Sequence, residues 1–301
     1  MSNMKIALLG GDLRQISVAR ELSSYGFSVE LWGIDRAFCS QNDVFLKASW
    51  EEAINGCHIL VLPLPASGDG LKVYCPLLNE TADVKLSKVL ELLPRDTLVL
   101  GGRFNPGVKS MIEDRGFCYV DYFLREELQI KNAIPTAEGA IAIAMNELPI
   151  TLSGCRAAVI GYGRIGKILA SKLRLLDAEV TVAARKSTDL ALAEGNGLKT
   201  LPIIVKDGNN SLEALSESYD VIFNTVPAWV IDESVVDKMN EETLIIDLAS
   251  APGGIDIRTA KEKGLKVIWA LSLPGKNSPY TAGKIIAQTI RQILLEEGWL
   301  R

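Results

Sequence analysis

The residues with the clearest chemical purpose are Gly161-Tyr162-Gly163-Arg164-Ile165-Gly166, with glycine at the first, third and sixth positions. The apolar run Ala157–Ile160 precedes them. Ile165, Leu169, Leu173 and Leu176 then follow at helical spacing. A strand, a glycine turn and a helix in that order form a dinucleotide cradle. Gly161 permits the tight turn, Gly163 lets the backbone approach a pyrophosphate, and Gly166 lets the helix lie close to the strand. N–H groups and dipole at the helix start, where Arg164 and Ile165 sit, attract phosphate charge.

The next strand selects the nucleotide. An NAD site normally carries an acid at its end, about 20 residues beyond the glycines, to bind ribose hydroxyls. Here Val180-Thr181-Val182-Ala183-Ala184 ends without one and runs into Arg185-Lys186-Ser187-Thr188. Two cations and two hydroxyls after a small residue suit a ribose 2′-phosphate, which predicts NADP. Ligands of open α/β sheets sit beyond the carboxyl ends of strands. Asn224-Thr225-Val226-Pro227 and Asp247-Leu248-Ala249-Ser250 occupy two such ends, and the small Ala249 and Ser250 leave room for a nicotinamide. Asp247 reads equally as a ligand-facing or a loop-capping carboxylate.

These segments need a scaffold, and the 301-residue chain supplies short apolar runs alternating with helix-period stretches throughout. Strands are predicted at 5–9, 28–32, 59–62, 97–100 and 117–120, then at 157–160, 179–183, 200–204, 221–223, 244–247 and 266–269. Leu13, Ile16, Ala19 and Leu22 mark a helix between the first two. Nearly continuous apolar strands alternating with helices imply buried parallel sheets. The fold class is therefore α/β, with two doubly wound, Rossmann-like domains and an interdomain cleft. The expected domains are 1–132, for substrate and catalysis, and 133–279, for NADP. A linking helix over 132–147 is predicted to start near Pro135. A C-terminal helix over 280–301, with Ile285, Ile286, Thr289, Ile290 and Ile293, is expected to return to the first domain.

Composition narrows the function classes. With 32 basic and 37 acidic residues the net charge is −5, against a nucleic-acid partner held by a basic face. His58 is the sole histidine, which excludes a histidine-built zinc centre, and no metal site is predicted. Cys39, Cys57, Cys75, Cys118 and Cys155 stand singly and read as small core residues in a reducing compartment. No apolar run approaches the ~20 residues that span a bilayer, and no signal peptide is evident. The chain reads as a cytoplasmic protein without membrane attachment. In the first half, Gly10-Gly11-Asp12 also follows a strand, and Asp35 ends the next one. The glycine spacing is wrong for a dinucleotide, and Asp12 places negative charge where a pyrophosphate would sit.

Several segments together resemble a known family. They are Gly10-Gly11-Asp12 with Arg14-Gln15, Ile134-Pro135-Thr136-Ala137-Glu138-Gly139, Gly161-Tyr162-Gly163-Arg164, Asp247-Leu248-Ala249-Ser250 with Pro252-Gly253-Gly254, and Leu273-Pro274-Gly275 with Thr281-Ala282-Gly283. In this order they resemble the A subunit of bacterial dipicolinate synthase over nearly the whole length. The resemblance implies NADP-dependent oxidation of a dihydrodipicolinate-type ring to pyridine-2,6-dicarboxylate during sporulation, in the mother cell. It also implies a partner, the flavoprotein-like B subunit of the same synthase, and it leaves homo-oligomers open.

A small dicarboxylate substrate needs donors, and Arg14, Arg103, Lys276 and Thr281 are the candidates. Glu138, in the most specific motif, and Ser250 are the catalytic candidates, although an acid near a helix start is also favoured by the dipole alone. His58 precedes a strand, at the end remote from such a site. Oxidation of the ring releases a hydride and an already acidic proton, so little general-base power is required. Three alternatives stand beside this reading: a non-catalytic NADP-binding subunit or sensor, a shikimate-type dehydrogenase, and a 2-hydroxyacid dehydrogenase. The last ranks low, because residues 59–301 lack the histidine its chemistry uses.

Overall fold

The computed structural model describes residues 4–43, 45–78, 83–206, 209–215 and 219–300. In chain order the elements are β1 (Lys5–Leu9), α1 (Leu13–Ser24), β2 (Ser28–Trp32), α2 (Trp50–Ile54), β3 (Ile59–Val61), α3 (Leu86–Leu92), β4 (Leu98–Gly101), α4 (Pro106–Glu113), β5 (Tyr119–Asp121) and α5 (Glu126–Glu147). They continue as β6 (Arg156–Ile160), α6 (Arg164–Leu175), β7 (Glu179–Ala184), α7 (Ser187–Gly195), β8 (Lys199–Pro202), β9 (Val205–Lys206), β10 (Asn209–Asn210) and β11 (Val221–Asn224). The last are α8 (Glu233–Lys238), β12 (Leu244–Asp247), α9 (Ile257–Glu262), β13 (Lys266–Trp269), α10 (Leu273–Asn277) and α11 (Pro279–Glu296). The chain forms two compact units: residues 1–132 with 274–301, and residues 133–273.

The first unit is built on a parallel sheet in the order β2-β1-β3-β4-β5. Side chains alternate between its faces, as the period-2 geometry of strands demands. Ile6 and Leu8, Ile59 and Val61, and Leu98 and Leu100 pack on one side with α1 and α11. Ala7 and Leu9, Leu60 and Leu62, and Val99 pack on the other with α2, α3 and α4. The connection after β1 crosses to β2, and the chain then returns past β1 to β3. The β1–β3 boundary is thus the topological switch point, where ligands of such sheets bind.

The second unit carries the parallel order β13-β12-β11-β6-β7-β8. Numbered within the unit this is 6-5-4-1-2-3, the order of dinucleotide-binding sheets, with the switch point between β6 and β11. Ala157, Val159, Val221, Phe223 and Ile246 face α5 and α6, while Ala158, Ile160, Ile222 and Ile245 face α8 and α9. Both faces are covered, which is why these strands read as unbroken apolar runs.

Three local expectations are corrected. The linking helix begins at Glu126, and Pro135 lies inside it. Proline removes one intrahelical hydrogen bond there, but Ala133, Ala137, Ala140 and Ala144 are buried at helical spacing and hold the helix through the interruption. β8 ends at Pro202, short of the predicted 204: the Ile203 N–H makes the last bond to β7, and Ile204 turns away to pair with Ser211. The antiparallel pair β9–β10 follows it, unforeseen. Of the cysteines, Cys57 and Cys155 are buried, Cys39 and Cys75 are half-buried, and Cys118 is exposed. Burial pushes the Cys57 thiol up to about 11 and that of Cys155 to about 12. Among the described residues no helix is long and apolar enough to cross a membrane, and no cluster of three His, Cys, Asp or Glu is placed to hold a metal.

Candidate functional site

The glycine turn after β6 has distinct reasons for each of its glycines. Gly161 adopts φ +95°, and a Cβ there would lie 2.4 Å from Thr225 Oγ1. A Cβ on Gly166 would lie 2.0 Å from the Gly161 carbonyl oxygen. These two glycines therefore serve packing between strand, turn and helix. Gly163 differs: a Cβ there meets no atom within 4 Å. Its backbone faces open space and forms the N-cap of α6. Having no side chain, it leaves the first-turn N–H groups uncapped by its own atoms. A cradle open at Gly163 and filled at its neighbours fits a pyrophosphate, with the α6 dipole behind it.

Beside the turn, β7 ends in buried Ala184, followed by exposed Arg185, Lys186, Ser187 and Thr188. Among the described residues no carboxylate pairs with Arg185 or Lys186. Ser187 opens α7, whose first turn also holds Asp189. Arg164 is exposed at the start of α6, and Ile165 is half-buried beside it.

On the opposite side of the turn the ends of β11 and β12 are tied together. Thr225 donates through both N–H and Oγ1 to the Ile160 carbonyl at 2.9 Å, which anchors this loop to β6. Asn224 and Asp247 are fully buried. Asn224 Nδ2 donates to Asp247 Oδ1 at 2.8 Å and to the Val226 carbonyl at 3.0 Å, while its Oδ1 accepts the Val226 N–H. Asp247 also accepts the N–H groups of Ala249 and Gly254. The structure thus spends the Asn224 amide on loop contacts. Ala249 is buried, and its carbonyl accepts the Trp269 indole N–H at 2.8 Å. Val226 is half-buried, and Pro227 and Ser250 are exposed on these loops. Of Asp247's two readings, the loop-capping one matches its hydrogen bonds.

In the first unit, Asp12 caps α1 by accepting the Arg14 N–H, and its carboxylate also holds the Arg14 guanidinium at 2.8 Å. The same guanidinium donates to the Leu64 carbonyl. Arg14 is 8% exposed, and its Nε and Nη2 are taken by Asp12 and the Leu64 carbonyl, which leaves it a weak candidate for an open carboxylate clamp. The Asp12 carboxylate does stand at this turn, but the Arg14 cation neutralises it. Two of the distinctive segments close on this pair. A Cβ at Gly275 would lie 3.0 Å from Asp12 Oδ2, and one at Gly283 would lie 2.3 Å from the Arg14 carbonyl. L-P-G and T-A-G are glycine contacts that let α10 and α11 lie against α1.

Arg103 is exposed at φ +58°, and its N–H and that of Phe104 donate to Asp121 at 2.9 Å. Asp121, which no sequence signal singled out, thus presents the loop after β4. Lys276 and Thr281 are exposed, on α10 and in the first turn of α11. Gln15 is a buried polar residue at the start of α1. It is 2% exposed, lies against Gly11, and its Nε2 has no partner among the described residues. Glu138 lies in the second unit, well inside α5, and pairs with Lys172 at 2.9 Å. The dipole explanation for this acid therefore lapses, since the helix begins at Glu126. His58, at the start of β3, accepts the Lys5 N–H.

Comparison with known proteins agrees with this division. Residues 5–123 match the profile of the N-terminal domain of the dipicolinate synthase A subunit, and residues 156–251 match that of coenzyme F420-dependent NADP oxidoreductases. The second unit thus has an oxidoreductase-type nicotinamide-dinucleotide fold. The dipicolinate synthase A subunit of Bacillus subtilis (strain 168) is 31% identical over 297 residues, covering 98% of this chain and 97% of the relative. The crystal structure of the corresponding Bacillus halodurans protein superposes with TM-score 0.87 at 31% identity, covering 97% of this chain and 98% of that one. The crystal structure of the Bacillus subtilis protein gives TM-score 0.82 at 30% identity, covering 98% and 97%. Similarity of this extent, spanning both units and every distinctive segment, means that the chain belongs to the family of dipicolinate synthase A subunits.

Proposed function

We propose that the chain oxidises a dihydrodipicolinate-type ring to pyridine-2,6-dicarboxylate, with NADP held by the second unit and the substrate by the first. The reading is carried by one observation. The open Gly163 cradle of the second unit is flanked on its β7 side by two cations and two hydroxyls, with no acid at the strand end. In this reading Gly161, Gly163, Arg164, Ile165 and Gly166 hold the pyrophosphate, and Arg185, Lys186 and Ser187 take the 2′-phosphate. When bound, the nicotinamide supplies a hydride acceptor. The ring loses one hydride and one proton and becomes aromatic. The departing proton sits beside an imine and is acidic, so a weak acceptor suffices. Glu138, once released from Lys172, and Ser250 are the chain's own candidates for orienting the ring or taking that proton. Arg103, Lys276 and Thr281 are exposed donors for the two carboxylates, while Arg14 keeps Asp12 in place.

The Bacillus subtilis relative is named for one subunit of a synthase, which supports a partner subunit for this chain. The resemblance supports a flavoprotein-like B subunit in that role, with work in the mother cell of a spore-forming bacterium. The test is to supply the purified chain with NADP and freshly generated ring precursor and to follow NADPH absorbance. NADPH formation by the chain alone is expected. Formation only after addition of the second subunit would refute the stand-alone oxidoreductase and leave an NADP-binding subunit.

A further inference from the structure

We propose that Asn224 and Asp247 are a positioning pair that fixes the nicotinamide side of the dinucleotide crevice without touching the ligand. The inference rests on the reading of the second unit as an NADP site. Both side chains are fully buried, and among the described residues no Lys, Arg or His pairs with the Asp247 carboxylate. Three donors replace a counter-charge: Asn224 Nδ2 at 2.8 Å, the Ala249 N–H at 3.0 Å and the Gly254 N–H at 2.8 Å. A buried carboxylate without a cation is costly unless it is hydrogen-bonded, and these three donors offset that cost. What the polar pair adds is location. It sets the backbone of 224–226 and 247–254 by direct hydrogen bonds.

Neighbouring residues are shaped around it. A Cβ on Gly254 would lie 1.9 Å from Asn224 Nδ2, and one on Gly253 would lie 3.0 Å from Asp247 Oδ2. Trp269 adds a third tether through the Ala249 carbonyl. Sheet order then assigns the pair to one half of the ligand. β11 and β12 lie on one side of β6, and β7, with Arg185 and Lys186 after it, lies on the other. A dinucleotide whose pyrophosphate crosses the turn after β6 has its adenosine end over β7 and its nicotinamide end over β11 and β12. Disturbing the pair therefore affects only the nicotinamide half.

The experiment compares wild type, Asp247→Asn and Trp269→Phe by calorimetric titration with 2′,5′-ADP and with NADP. For Asp247→Asn the expected result is 2′,5′-ADP affinity within about twofold of wild type and NADP affinity reduced about tenfold, the scale of losing hydrogen bonds to a charged group. Trp269→Phe removes one peripheral tether and is expected to show the same split at about threefold. It carries the test if Asp247→Asn does not fold. Equal losses for both ligands, or unchanged NADP affinity in a folded variant, would overturn the proposal. Failure of the wild type to bind either ligand would remove the NADP reading and this inference with it. That outcome is recognisable before any substitution is made.

Discussion

Alanine at Gly163 and at Gly166 separates approach of the ligand from packing of the turn. At position 166 the new methyl would lie 2.0 Å from the Gly161 carbonyl oxygen and 2.9 Å from its carbon. Both are backbone atoms, so no rotamer relieves the clash, and α6 must shift away from β6. Overpacking of this kind costs about 1–3 kcal/mol. At roughly 2–4 °C per kcal/mol for a domain of this size, the second unit should melt several degrees lower. At position 163 the methyl meets nothing within 4 Å, and φ is −80°, which any residue adopts. As an N-cap change it costs no more than about 1 kcal/mol. The methyl nevertheless fills the space through which a pyrophosphate reaches the backbone, so NADP affinity should fall about tenfold or more. Scanning calorimetry and titration calorimetry on both variants read the two effects separately. Gly163→Ala with wild-type NADP affinity, or Gly166→Ala with an unchanged midpoint, would refute the assignment of roles.

Two further predictions concern the first unit. The Arg20 guanidinium beside Asp43 holds its carboxyl down to about 2, against the opposing effect of burial, with the Ser40 N–H contributing. Since the folded value is depressed, the stabilisation is present above the ordinary carboxyl range and is lost as pH falls toward 2. Arg20 is partly exposed, so the contribution is about 1–2 kcal/mol. Asp43→Asn should melt lower at neutral pH and converge with wild type between about pH 4 and 2 by circular dichroism; a pH-independent gap would contradict this. Gln15→Leu removes a buried amide whose Nε2 has no partner among the described residues, and should leave the midpoint unchanged or raise stability by about 1 kcal/mol. A clear loss in denaturant titration would mean that the amide is held.

Much of the scaffold was legible because both sheets are buried on both faces. β1, β2, β12 and β13 have the bounds that their apolar runs predict, and α1 buries Ile16, Ala19 and Leu22 as their spacing requires. The errors lie where tertiary packing overrides local signals. Pro135 suggests a helix start, yet the alanine face of α5 carries the helix through it. The glycine turn itself was readable because Gly161 and Gly166 answer local steric demands. The surrounding side chains were not, since an Arg or Asn at a strand end looks the same whether it meets a ligand or its own loop. Arg14 is engaged by Asp12 and the Leu64 carbonyl, and Asn224 by Asp247 and Val226, partners 2 to 50 residues away in the chain. No spacing rule reports such pairings.

The most direct test of the central claim is a parallel calorimetric titration of wild-type protein and Arg185→Asp with NADP and with NAD. The account predicts that wild type binds NADP at least about tenfold more tightly than NAD, the value of one good charge-assisted contact to the extra phosphate. Arg185→Asp should erase that preference while leaving NAD binding nearly unchanged. No heat with NADP, a wild-type preference for NAD, or equal losses for both cofactors in the variant would contradict it.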